Sequence, residues 1–369
     1  MGNNTEKQAK MKIAILGTRG MPGRYGGFET FAERLPEELV KRGFKVAVYC
    51  PHDHICKDRF YKGVRRLYAF NFEKYLGSAG TILYDISSLI KISLSSCDIV
   101  YMLGYASSAF CLIPRIFGKK VVINTDGLEW KRQKWGKLAR AYLKFAEWMA
   151  TKTANHLITD AKVLQKYYFD KYGINTTYLA YGADVKSSKK PQLIKKYGIK
   201  PGEYYLIIAR LEPENSVDIM LQGYRFSKTQ KKLVVVGNPA EKRFMQKLLK
   251  HKNENIIFTG GVYDQEIITE LRANSYAYLH GHSVGGTNPS LLEAAGCGCL
   301  IIARNTPYNK EVIGDEGIYF NTAEEISKIM NSIEEKYPYS KKNKMRKIIK
   351  EKFTWEKLAS QYAEFFTSL

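Results

Sequence analysis

Short apolar runs alternate with stretches of helical spacing along nearly the whole chain. Residues 11–16 (MKIAIL) run into a glycine-rich turn, and residues 28–42 follow with apolar positions spaced as on one helix face until Gly43. Residues 45–50 (KVAVYC) predict the next strand, and further strands are expected at 64–69, 98–103, 120–124, 156–159 and 177–181. Strands separated by helices of this length pair in parallel through right-handed crossovers. Residues 184–202 (DVKSSKKPQLIKKYGIKPG) break the pattern: lysine-rich, with two prolines and no sustained apolar run, they are expected to link two domains. A second series of strands then begins at 204–209 and continues at 233–236, 255–258, 276–279, 300–303 and 317–320. The tail, 341–369, reads as helical, with Phe353, Trp355, Leu358, Tyr362 and Phe365 as an apolar face. A chain of 369 residues exceeds the roughly 100–200 residues that one core usually organises, so two α/β domains with parallel sheets are expected.

Charge sharpens this picture. A net charge of +22 predicts attraction to a polyanion: nucleic acid, an anionic membrane surface or a phosphorylated substrate. The six cysteines contain no C-x-x-C pair and read as reduced core thiols of a cytosolic protein. The opening MGNNTEKQAK has no apolar h-region, and no later stretch is long and apolar enough to span a bilayer, so the expectation is neither secretion nor integral insertion. The segment 130–152 combines three of the four tryptophans with many bases. Its stripe Trp135, Leu138, Tyr142, Phe145 and Met149 is expected to face inward, and Lys131, Arg132, Lys134, Lys137, Arg140 and Lys144 to face lipid phosphate.

The candidate chemistry gathers at turns that follow strands. GGTNPSLLE, from Gly285 to Glu293, places a turn before a helix, where free amides favour anionic oxygens and Glu293 can accept hydrogen bonds from sugar hydroxyls. The first turn runs from Gly17 through Arg24, Tyr25, Gly26 and Gly27, whose glycines let backbone approach a substrate or diphosphate. Arg210 follows a strand whose C-terminal end opens on a crevice in doubly wound sheets. Asp126, Asp160 and Tyr181 likewise follow strands of the first half and are expected to border one crevice, as catalytic or substrate-orienting groups. The plainer readings are an Asx turn for Asp126, an N-cap for Asp160 and packing for Tyr181. The pairs His52/His54 and His280/His282 are not completed by any carboxylate or cysteine cluster, so no metal is expected.

Several segments together resemble the GT-B glycosyltransferases of family 4. They are GTRGMPGRYGGFET (17–30), DGLEWKRQKW (126–135), YGAD (181–184), ARLEPENSVD (209–218) and HGHSVGGTNPSLLEA (280–294). The first is similar to the signature of a bacterial rhamnosyltransferase branch. The resemblance implies two Rossmann-like domains with parallel sheets facing a central cleft: an acceptor domain at 1–185, a nucleotide-sugar domain at 186–353, and a crossover helix at 354–369 returning to the first. It implies a donor site of Arg210, Asn215, Gly286, Thr287, Asn288 and Glu293. Two departures stand out. Gly285 occupies the first carboxylate position of the family's E-x7-E motif, and Asn215 stands where the family commonly has a lysine. Arg210 and the amides around Thr287 and Asn288 are therefore expected to carry more of the diphosphate binding.

The resemblance further implies dTDP-L-rhamnose, or alternatively a UDP-sugar, as donor, with a polyprenyl-diphosphate-linked sugar as acceptor. It also implies retention of configuration assisted by the leaving phosphate, no cofactor, no metal, and a cytoplasmic protein peripheral on the inner face of the cell membrane. Two other classes remain open. A nicotinamide-dependent oxidoreductase would explain glycine turns, although residues 17–27 do not match G-x-G-x-x-G. A nucleic-acid-binding protein would explain the charge, although no recognised binding motif accompanies it.

Overall fold

The computed structural model describes residues 11–23 and 27–369. The chain forms two compact units: Met1–Tyr181 with Trp355–Leu369, and Gly182–Thr354. In the first unit, strands β1 (Lys12–Leu16), β2 (Lys45–Pro51), β3 (Phe60–Tyr61), β4 (Val64–Ala69), β5 (Ile99–Leu103), β6 (Lys120–Asn124), β7 (His156–Thr159) and β8 (Thr177–Tyr178) form one sheet in the order β3-β4-β2-β1-β5-β6-β7-β8. All neighbours pair in parallel except β3 and β4, an antiparallel hairpin too short to show in the sequence pattern. The central strands are covered on both faces, which is why they read as unbroken apolar runs.

Right-handed crossovers assign the helices to sides. The leftward step from β1 to β2 carries helix Gly27–Lys41 on one face, and the rightward steps from β4 onward carry Ser78–Ser93, Leu112–Ile116, Lys137–Thr153 and Lys162–Tyr172 on the other. The C-terminal helix Trp355–Ser368 packs on Gly27–Lys41. Tyr362 and Phe366 are its deepest aromatics, and Phe31 meets Tyr181, Trp355 and Tyr362 at ring separations of 5.2, 6.1 and 5.6 Å. Phe365, expected on the buried face, instead lies at its margin against the edge of His156.

The second unit is a six-stranded parallel sheet in the order β11-β10-β9-β12-β13-β14, from β9 (Tyr204–Ile208), β10 (Lys232–Val236), β11 (Ile256–Gly260), β12 (Ala277–His280), β13 (Ile301–Arg304) and β14 (Ile318–Phe320). Both sheets are doubly wound. Residues 184–202, expected as a linker, are instead folded into this unit. Glu270, 3% exposed, accepts the Ser188 hydroxyl at 2.6 Å and the backbone N–H groups of Lys189 and Lys190 at 2.6 and 2.7 Å. Ile194 is buried in the 3-10 turn that follows. The anchor is one buried carboxylate rather than an apolar run, so hydropathy does not reveal it.

Helix Lys137–Thr153 also departs from expectation. It buries Leu143, Ala146, Glu147, Ala150 and Thr153, and turns Leu138, Tyr142, Phe145 and Trp148 outward. Small residues let it sit close: the Ser108 hydroxyl donates to the Ala146 carbonyl at 2.5 Å, and that of Thr153 to the Ser108 carbonyl at 2.9 Å. Glu147 is fully buried and satisfied by Trp130, Tyr167, Tyr172 and Lys171 at 2.7–2.9 Å. Arg132 and Lys134, expected on lipid phosphate, pair with Glu129 at 2.7 and 3.1 Å. All six cysteines are free thiols.

Candidate functional site

Each sheet reverses its direction of winding once, and the candidate residues follow strand ends, in the second unit beside the reversal and in the first after β6, β7 and β8. In the second unit the reversal falls between β9 and β12, the switch point where open α/β sheets bind ligands. Arg210 follows β9, and the 281–288 loop follows β12. The Arg210 guanidinium is 44% exposed and only loosely paired with Glu212 at 3.5 Å, so it is accessible to an anion.

Asn215 is buried and braces this region rather than projecting from it. Its Nδ2 donates to the Arg210 carbonyl at 2.8 Å, and its Oδ1 lies 3.0 Å from Nδ1 of His282. A Cβ at Gly281 would lie 2.1 Å from the Asn215 carbonyl oxygen, so only glycine fits between the two loops. His280, buried with Nε2 unpartnered, is pushed down to about 3 by desolvation and then by the Arg272 charge, and is therefore neutral.

The turn before helix Pro289–Gly296 corrects the picture of free helix amides. Pro289 has no N–H, Ser290 N–H donates to the Asn288 side chain at 2.9 Å, and Leu291 and Leu292 N–H donate to the Asn288 carbonyl at 3.1 and 3.3 Å. Asn288 is thus an N-cap whose side chain serves the helix. Gly285 and Gly286, in the turn that precedes the helix, are buried. Gly285 has φ +130°, and Thr287 is buried beside it.

Glu293, one third exposed, forms a 2.6 Å ion pair with Arg272, which is 6% exposed and also donates to the Ser290 hydroxyl at 3.1 Å. Tyr278 contacts the same hydroxyl at 2.7 Å and the Ile208 carbonyl at 3.1 Å. This network ties the candidate carboxylate to the end of β9. No motif in the sequence marks Arg272, which lies in the last turn of helix Gln265–Ala273.

In the first unit the reversal falls between β1 and β5. Gly17, at φ +79°, closes the turn after β1, where a Cβ would meet the Leu103 carbonyl at 2.2 Å. Arg24, Tyr25 and Gly26 lie outside the described residues, and Gly27 opens the following helix. Asp126, Asp160 and Tyr181 follow the adjacent strands β6, β7 and β8. Asp126 is left-handed at φ +50° and donates its N–H to Asn124 Oδ1 at 3.0 Å. Asn124 continues to the Tyr101 hydroxyl at 3.1 Å, which meets that of Tyr362 at 3.0 Å.

Asp160 is fully buried, and the N-cap position of the next helix belongs to Ala161, one residue later. The Tyr181 hydroxyl is held well above its ordinary value by burial and then by the charges of Asp126 and Asp160. The three candidates thus share one electrostatic environment, and Tyr181 stays protonated there, a hydrogen-bond donor.

The two parallel, doubly wound sheets match the GT-B class of fold. Residues 189–352 match the model of glycosyl transferases group 1, and residues 10–184 match a domain of unknown function, DUF1972. Sucrose-phosphate synthase from Thermosynechococcus elongatus has the same fold (TM-score 0.82, 14% identity, covering 97% of this chain and 99% of that one). So does Anabaena HepE, solved with UDP and glucose (TM-score 0.79, 17% identity, 97% and 100%). An uncharacterized glycosyltransferase of Methanocaldococcus jannaschii is 34% identical over 154 residues, a match spanning 37% of each chain. No helix of the described residues is long and apolar enough to cross a membrane.

Proposed function

We propose that this protein transfers a sugar, with retention, from a nucleotide diphosphate donor held by the second unit to an acceptor held by the first. The observation that supports the reading is the β9/β12 switch point, which Arg210 and the 281–288 loop follow, with Arg210 exposed and Glu293 anchored by Arg272. Arg210 would hold the diphosphate, the glycine turn would approach it through backbone amides, and Glu293 would accept donor hydroxyls. Asp126, Asp160 and protonated Tyr181 would orient the acceptor, while the departing phosphate assists its deprotonation, so the protein supplies position and charge.

The GTRGMPGRYGGFET segment favours dTDP-L-rhamnose as donor. It also favours a polyprenyl-diphosphate-linked sugar as acceptor, met at the anionic inner face of a cell membrane in surface polysaccharide synthesis. A second reading, a UDP-sugar donor, is favoured by the UDP and glucose bound to the HepE neighbour. A thermal-shift panel of dTDP, UDP, NAD and an oligonucleotide separates the classes: a nucleoside diphosphate alone should raise the melting temperature. Transfer assays with dTDP-L-rhamnose and UDP-glucose on a lipid-linked GlcNAc acceptor then choose the donor. Stabilisation by NAD or oligonucleotide with none by either diphosphate would overturn the reading.

A further inference from the structure

Three helices on one side of the eight-stranded sheet share an outer surface without an exposed carboxylate. Ser78–Ser93 packs against Leu112–Ile116, and the turn Ser108–Cys111 preceding the latter is bonded to Lys137–Thr153 through the Ser108 contacts described above. Arg115 closes the seam by donating to the carbonyls of Lys152 and Thr153 at 3.0 and 3.2 Å. Segments 78–94, 105–119 and 131–153 contain two acidic residues, Asp85 and Glu147, and both are buried.

What this layer exposes is of two kinds. Large apolar side chains stand out on all three members: Ile90 at 47%, Ile116 at 74%, Phe117 at 53%, Leu138 at 86%, Phe145 at 48% and Trp148 at 44%. Between them lie the exposed bases Lys91, Lys137, Lys144 and Lys152. Adjoining exposed apolar residues on this scale mark a binding surface. A second copy of the chain would set like charges against each other. An anionic bilayer satisfies both kinds at once, taking apolar side chains at the headgroup–acyl boundary while lysines reach lipid phosphate.

We propose that this three-helix layer is the surface on which the protein lies on an anionic bilayer, with Leu138, Phe145, Trp148, Ile116 and Phe117 entering the lipid. The occupant is the membrane named in the proposed function, and that reading gives the surface its purpose; the surface chemistry stands by itself. The attachment is by insertion, so it differs from attraction by the bases of residues 131–134, two of which are spent on Glu129.

The test is sedimentation with vesicles of phosphatidylcholine alone or mixed with phosphatidylglycerol, at about 0.1 M and about 1 M NaCl. The wild type should bind the anionic vesicles, and a fraction should stay bound at high salt. Leu138→Ser/Phe145→Ser/Trp148→Ser should lower partition about tenfold or more and abolish the salt-resistant fraction. Lys137→Gln/Lys144→Gln/Lys152→Gln, which keeps the apolar side chains, should lose the preference for anionic lipid instead, and it serves if the serine variant fails to fold. Brominated lipid should quench wild-type tryptophan fluorescence, and Trp148→Phe should remove that quenching. Complete release of the wild type by salt, unchanged partition of a folded serine variant, or a wild-type dimer that this variant dissociates would each overturn the proposal. Transfer assays separate the two readings. Vesicle binding as expected with no transfer to any lipid-linked acceptor removes the acceptor assignment alone, whereas transfer without vesicle binding removes this surface.

Discussion

The pair between Glu293 and Arg272 would give one carboxylate two duties, because the side chain proposed to face a donor also neutralises a buried guanidinium. Glu293→Gln should therefore cost about 1–3 kcal/mol of stability in addition to donor affinity, since it leaves a buried charge without its partner. Denaturant melts beside donor kinetics check this. A variant as stable as the wild type would mean the pair contributes little, and unchanged donor kinetics would remove Glu293 from the site. Arg210→Ala has no such double effect. The exposed guanidinium should weaken donor binding by about 1.5–3 kcal/mol with the fold intact, measured as the Kd for the nucleoside diphosphate. Asp126→Asn is the matching probe in the first unit, because asparagine tolerates the left-handed backbone at φ +50° while the charge is lost. Turnover should fall sharply at unchanged melting temperature; near-normal turnover would leave Asp126 as a turn residue. Arg210, Asn215 and Glu293 stand out as candidates in the sequence because they lie in motifs that come after strands. Arg272 does not, since what makes it important is the packing of a separate helix against Pro289–Gly296. Asn288 stands in Asn-Pro-Ser, which is also a helix start, and its side chain caps the helix itself.

At the scale of elements, glycine does its work where two loops touch. Gly281→Ala would drive a Cβ to 2.1 Å from the Asn215 carbonyl and 2.8 Å from Met220, disturbing the brace beneath Arg210. It should destabilise the second unit by about 1–3 kcal/mol or more, as overpacking does. Gly136→Ala, in open space, should stay within about 0.5 kcal/mol of the wild type. Equal melting of the two variants would contradict the close approach. Period explains much of what the sequence made legible. Parallel strands buried on both faces announced themselves within a residue or two, while β8 ends at Tyr178, with the Leu179 N–H still donating to the Thr159 carbonyl at 2.9 Å. Helix Lys137–Thr153 shows what period leaves open. Positions 138, 142, 145 and 149 and positions 143, 146, 147 and 150 are both compatible with one face of a helix, but the two faces differ. The larger apolar set looks like the core, yet the close seam with Ser108 requires Ala146 and Ala150 inside.

At the scale of the whole molecule, the two units should respond to acid in opposite ways. Asp85, buried in the first unit with one oxygen on the Ser107 hydroxyl at 2.6 Å, has its carboxyl lifted to about 7 by desolvation. Native Asp85 therefore holds a proton that the unfolded chain has released between roughly pH 4 and 7. Its contribution is present at low pH and is lost as pH rises through about 7. His280, in the second unit, has its value lowered to about 3, so the unfolded chain binds a proton first, below roughly pH 6.5. Its contribution is present above that point and is lost as pH falls toward about 3. Between pH 7 and pH 5 each effect amounts to roughly 2 kcal/mol, favouring the first unit and disfavouring the second. Calorimetry at the two pH values should show the transitions move apart. Asp85→Asn should remove the acid gain from one transition, and His280→Asn the acid loss from the other, which also assigns each transition to its unit. If both variants track the wild type in parallel at pH 5 and pH 7, these two buried groups do not set the acid response of the fold.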